Sequence, residues 1–330
     1  MKRICWIGMA MAALATALPA AAQGAADVGK ALSSERFTLV SPFPPGGPTD
    51  TLARVLAEGL SARYKTPAVV ENATGAAGNI GMEKVKRAKG DGHTLLVIPA
   101  GNLTINPTLM PNFPFDIRKD FVPVTMLAAA PNVIVTGKAS GIRSIAELIA
   151  RAKAKPGTLN FGSSGVGNSI HLAVEQFNAA VGIKAVHVPF KTGNETDTAM
   201  IAGEVQYTIA SLATSLPLIQ AGRIKALAVT GEGRDPALPN VPNLSESGLP
   251  VRIPDQLFGM VGPANMPAPV TSKLLKAVAD MQADPAFQES VRRTGGVPSL
   301  VHGEAFRNLA LSDSQTWGDL IKRLGITLSS

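Results

Sequence analysis

Nine short apolar runs recur along the chain, with helical patterns between them. They fall at residues 37–40, 68–70, 94–98, 132–136, 158–161, 184–188, 205–210, 224–229 and 257–261. The segments between them repeat apolar residues at helical spacing. Leu52, Val55, Leu56 and Leu60 share one face, Ile145, Leu148 and Ile149 another, and Ile170, Val174, Phe177 and Val181 a third, which Gly182 stops. Strands that alternate with amphipathic helices need helices on both faces of their sheet, because the crossovers lie there. The expected class is therefore α/β, with parallel or mixed sheets flanked by helices.

Residues 1–22 read as a secretory signal peptide. Lys2 and Arg3 precede an apolar run from Ile4 to Leu18, and Ala20-Ala21-Ala22 supplies small residues before Gln23. A run of about 15 apolar residues is short for a membrane-spanning helix, so export to the periplasm is expected. Cys5, the sole cysteine, lies in that signal, and the mature chain must fold without disulfides. Breaks at 107–123 and at the proline-rich 231–254 suggest two lobes. Residues 23–124 and 230–330 would form lobe 1, residues 125–229 lobe 2, and the helical segment from Pro269 onward would pack back onto lobe 1. The formal charge is +7, and +5 without Lys2 and Arg3. Its densest group, Lys84, Lys86, Arg87 and Lys89, has no aromatic interleaving, and aromatics are only 5% of the chain. That argues against nucleic-acid binding, while a modest positive field attracts small anions.

In open parallel sheets, ligands sit beyond the carboxyl ends of the strands. Several polar, small-residue loops fall at such ends. One reads Phe43-Pro-Pro-Gly-Gly-Pro-Thr-Asp50, where Pro45, Gly46 and Gly47 shape a turn and Pro48 suits a first helical position. Amide N–H groups from Gly47, Thr49 and Asp50 would point out of that helix start toward an anion. Asp50 either complements the helix dipole or meets a ligand amino group. A second entrance, Gly162-Ser-Ser-Gly-Val-Gly-Asn-Ser-Ile-His171, offers Ser163, Ser164, Gly165, Asn168 and Ser169, with His171 on the first turn either as a donor or as a satisfied buried histidine. Asn102, Lys191 and Ser211 close other strands, and Lys191 either touches an anion or acts through its field.

Catalytic signatures are absent. Val166 stands where a nucleophile elbow needs its last glycine, and no phosphate loop or dinucleotide fingerprint occurs. Histidines 93, 171, 187 and 302 are dispersed and lack metal-ligand spacing, which argues against a zinc site. No enzyme activity, metal or cofactor is expected. The rival reading is an exported hydrolase in which Ser164, or Ser163, reaches His171 and an acid.

Phe43-Pro-Pro-Gly-Gly-Pro-Thr-Asp50, Val70-Glu-Asn72, Gly75-Ala-Ala-Gly-Asn-Ile-Gly81, Asp91-Gly92 and Ile105-Asn106-Pro107 closely resemble the Bug family. So do Gly162-Ser-Ser-Gly165 with His171-Leu172, Val188-Pro189-Phe190-Lys191, Ala221-Gly-Arg-Ile-Lys-Ala-Leu-Ala-Val-Thr230 and Leu238-Pro-Asn-Val-Pro242. These are extracytoplasmic solute-binding proteins of tripartite tricarboxylate transporters, and the resemblance spans the mature chain. It implies a monomeric two-lobe, periplasmic-binding-protein-like fold that captures a small organic carboxylate and passes it to membrane transporter subunits. A sensing role with a signalling receptor is the other reading. Pro45 to Thr49 would hold the carboxylate through amides and ordered water, with Ser163, Ser164, Asn168, Ser169 and His171 on the opposite wall. Thr192, Val205-Gln206-Tyr207-Thr208 and Ser211-Leu-Ala-Thr depart from the usual pattern, so the distal half of the pocket is this chain's own.

Overall fold

The computed structural model describes residues 32–110, 112–249 and 251–327; the expected signal at 1–22 lies outside them. In chain order come β1 (Phe37–Ser41), α1 (Pro48–Tyr64), β2 (Ala68–Asn72), α2 (Asn79–Lys86), β3 (Thr94–Pro99) and two single-turn helices, α3 (Gly101–Thr104) and α4 (Asn106–Leu109). Next are β4 (Phe121–Ala130), β5 (Asn132–Gly137), α5 (Ile145–Ala154), β6 (Asn160–Ser163), α6 (Ser169–Val181), β7 (Val186–Pro189) and α7 (Gly193–Ala202). The rest is β8 (Tyr207–Ser211), α8 (Leu212–Gln220), β9 (Ile224–Val229), β10 (Gln256–Pro263), α9 (Ala268–Gln282), α10 (Pro285–Arg293), β11 (Val297–Pro298) and α11 (Gly303–Leu324).

Two mixed sheets organise two lobes. The first has the order β11-β4-β10-β3-β1-β2, with β1 parallel to β2 and β3, and β10 antiparallel to β3 and β4. The second runs β7-β6-β8-β5-β9, with β6 parallel to β7 and β8, and β5 antiparallel to β8 and β9. All nine apolar runs fall on strands. β4 is the long strand that periodicity missed. Pro123 and the weakly patterned Ala128-Ala129-Ala130 disguise it, and antiparallel pairing to β10 with two register shifts accommodates it. Residue 124, where the lobe boundary was drawn from sequence, lies inside this strand.

Helices cover both faces of each sheet. Phe37, Leu39, Leu56, Leu60, Leu95, Val97, Leu274 and Val278 form one core of the first lobe, and Val40, Met82, Leu96, Phe121, Val261 and Phe306 form the core on its other side. In the second lobe Ile134, Leu148, Phe161, Val174, Phe177 and Ile209 are buried together. Leu244 and Ile253, from the loop before β10, join that core. α11 belongs to both lobes: Phe306 and Ala310 enter the first core, while Trp317, Leu320 and Ile321 pack on Ile105, Leu109 and Leu172 of α6. The sheets are joined at Pro131 and at Pro254. Asn132, 1% exposed, donates to Pro254 O at 3.1 Å and accepts from Gln256 Nε2 at 3.2 Å, tying the two connections together. Among the described residues no helix is long and apolar enough to cross a membrane.

Candidate functional site

A cavity of about 460 Å³ lies between the lobes. The first lobe contributes Phe43, Ala77, Asn102, Ile105 and Met110, among others; the second contributes residues 164–170 at the entrance to α6. Its size falls in the range that encloses a small organic ligand.

The α6 entrance is built to present amides. Gly165 and Gly167 hold φ of +134° and +74°, conformations that L side chains rarely adopt. Asn168 is the N-cap: its Oδ1 accepts from His171 N at 2.8 Å and its Nδ2 donates to Ser164 Oγ at 2.9 Å. The N–H groups of Ser169 and Ile170 have no intrahelical acceptor, being at the first two helical positions, and both residues line the cavity. Beneath them His171, 5% exposed, accepts from Gly167 N through Nδ1 at 2.9 Å and stacks on His187 at 3.8 Å between centroids. Ser163, fully buried, pairs with His187 Nε2 at 2.7 Å. Burial, with a smaller push from His171, lowers His187 to about 4 and keeps it neutral. Ser163 and His171 thus support the wall rather than face the cavity. The Ser164–His171 dyad of the hydrolase reading does not form, since Ser164 is bonded to Asn168 instead.

The α1 entrance closes on itself. Gly46 has φ of +83°, and its N–H donates to Asp50 Oδ2 at 3.0 Å. Arg54 contacts both Asp50 oxygens at 2.9 and 3.1 Å, and Asn72 donates to Oδ1 at 2.9 Å. Burial would raise the Asp50 carboxyl, but the bonds from Arg54, Gly46 and Asn72 outweigh it and hold it below the usual range. Asp50 therefore anchors its own loop, with its oxygens already engaged. Pro45, Gly46 and Pro48 are exposed, Gly47 is half-exposed and Thr49 buried; of this stretch only Phe43 lines the cavity.

Comparison with known proteins decides what the scaffold is. The sequence profile described as "Tripartite tricarboxylate transporter family receptor" matches residues 52–326. The chain belongs to this receptor family. It is 30% identical to Protein BugT of Bordetella pertussis over 88% of this chain and 89% of the relative. Among solved structures, R. palustris Rpa4515 with adipate is 31% identical with a TM-score of 0.80, covering 89% of this chain and 98% of that one. MatC from Rhodopseudomonas palustris with bound malate is 26% identical with a TM-score of 0.74, covering 87% and 99%.

In this receptor, Asn102 lines the cavity and donates to Ala77 O at 2.7 Å. That bond steadies residues 75–78, where Gly75, Ala76, Ala77 and Gly78 all hold positive φ. Such geometry at two alanines is strained by roughly 1–2 kcal/mol each. Lys191 is exposed, and its backbone N–H donates to Glu195 Oε2 at 3.0 Å while Thr192 caps α7. Ser211 precedes α8, and neither residue lines the cavity. Two acidic lining residues were not anticipated. Asp255 follows the second interlobe connection, and Asp313 lies on α11. Burial raises both carboxyls above their usual range, with Arg252 opposing in each case. The signal for Asp313 was present: it sits between Ala310 and Trp317 on the buried stripe of an amphipathic helix.

Proposed function

We propose that this receptor captures a small organic carboxylate between its lobes in the periplasm and delivers it to the membrane subunits of a tripartite tricarboxylate-type transporter. The carrying observation is the α6 entrance opening into the interlobe cavity, with Ser164, Asn168 and Ser169 beside unpaired helix amides. The helix dipole adds a field of the right sign. Charge-assisted hydrogen bonds contribute roughly 1.5–3 kcal/mol each. Three or four of them offset association costs and leave about −8 kcal/mol, near micromolar affinity. The lobes open and close about Pro131 and Pro254, and a ligand held by both favours the closed state.

The ligand's far end meets Asp255 and Asp313. At neutral pH, any ionised share of these acids repels a second carboxylate and welcomes an amine or hydroxyl. Calorimetry with glutarate and 4-aminobutyrate tests this. The aminobutyrate is expected to bind more tightly at pH 7.5. Asp255→Asn with Asp313→Asn should erase the discrimination, and glutarate should lose less ground in this double variant than in the wild type at that pH. A double variant that discriminates as the wild type does would remove these acids from the reading. Failure of any carboxylate to saturate the protein would overturn the assignment itself. For delivery, deleting the gene should abolish uptake of the bound acid by intact cells.

A further inference from the structure

We propose that Glu35, Asp91 and His93 form a second site, remote from the ligand cavity, that takes one divalent transition-metal ion, for which zinc is the best-fitting case. Spacing along the chain hides this set, because Glu35 is far from Asp91 in sequence. The first sheet brings them together. β1 and β3 are parallel neighbours with Thr38 opposite Thr94, so the residues preceding each strand meet at the sheet's amino-terminal edge. One ligand-capable atom from each of the three side chains lies within 4.8 Å of the others. The cavity lies beyond the opposite edge, about 17 Å away by the rise of a five-residue strand.

His93 is the observation that points to an ion. It is 7% exposed, yet neither ring nitrogen has a hydrogen-bond partner. Nδ1 lies 3.3 Å from Asp91 Oδ1 without forming a bond. A neutral imidazole always carries one N–H and one lone pair, so two buried polar atoms are left unsatisfied. The ring cannot easily turn away. It packs on Phe37 at 5.2 Å between centroids, its backbone N–H donates to Asp91 Oδ1 at 3.0 Å, and its carbonyl accepts from Thr38 N at 2.7 Å. Gly92, at φ of +86°, shapes the turn, and a Cβ there would meet Val270 and Leu32 at 2.8 and 3.0 Å.

A zinc ion answers this arrangement. It accepts the imidazole lone pair, two carboxylates balance its charge, and a fourth position is left for water. Glu35 is exposed, so the ion would enter from solvent without unfolding the edge.

The test uses the tag-free chain from Gln23, stripped with a chelator and titrated with zinc chloride by calorimetry. One ion per chain with a dissociation constant below about 100 μM is expected. Glu35→Gln, a change at an exposed side chain, should weaken zinc by roughly tenfold or more while leaving the fold intact. His93→Gln should do the same, and carboxylate binding in the cavity should change less than about twofold in both, the sites lying a strand length apart. Zinc affinity in Glu35→Gln equal to wild type would overturn the site. So would a His93 side-chain NMR signal that moves with pH but not with zinc, since the cluster would then be an ordinary imidazolium–carboxylate pair. Either result leaves the carboxylate reading untouched.

Discussion

Residues 44–50 and 163–169 both carry a strand into a helix through glycines and small polar residues, yet only the second group opens on the cavity. The difference lies in what each helix does with its own amides. At α1, Asp50 turns back to Gly46 N and is locked by Arg54 and Asn72, so the entrance supplies its own anion. At α6, the cap is the neutral Asn168, whose remaining bond goes to Ser164. No acid of the loop occupies the amides of Ser169 and Ile170. A helix start is thus an anion site only where its own chain leaves it empty.

Gly167→Ala should break the comparison most sharply. A Cβ there would sit 2.1 Å from Leu109 of the opposite lobe, in a backbone at φ of +74°. Leu109 must then shift and the backbone strain, so the lobes meet less closely, and calorimetry should show carboxylate affinity falling by roughly 100-fold, a loss of about 3 kcal/mol. Gly46→Ala, with nothing within 4 Å of its Cβ, should leave affinity within about threefold despite a similar φ. Asn168→Asp keeps a good cap but places a charge among the amides. Affinity should drop by about tenfold or more while denaturant unfolding shows unchanged or higher stability.

Asp50→Asn should do the converse. Stability falls by about 1–2 kcal/mol as charge-assisted bonds are lost, and affinity for plain carboxylates and amino acids alike stays put. A further effect, read in pH rather than in affinity, concerns the support under α6. His187 resists protonation until about pH 4, whereas the unfolded chain takes up that proton near its ordinary value of 6.5. Stability therefore declines as pH drops from 6.5 toward 4. His187→Asn should flatten that part of the melting-temperature profile.

Much of this was legible from residue types. Periodicity located the apolar runs because most of them, though not the edge strands β2 and β7, bury both faces, and it failed on β4, where proline and three alanines carry little pattern. Both ends of α6 were readable because Asn168 and Gly182 are ordinary helix punctuation. Asp50 was only half-readable. Arg54 stands four residues on, within reach by spacing, whereas Asn72 comes from the neighbouring strand and needs the sheet. Asp255 was missed for a similar reason, since an acid in a loop acquires meaning only when a second segment buries it. Asp313 was missed although its place on a buried helix stripe was readable.

Pro131 is the sole residue between β4 and β5, and a single residue spans at most about 3.6 Å. The covalent tether between the lobes therefore has no slack. Sliding or drift of one half against the other has no spare chain to draw on at this narrow spine, which Asn132 stitches to the second connecting segment. In the proposed capture of a ligand between the lobes, a tether this short leaves little chain entropy to be lost on closure.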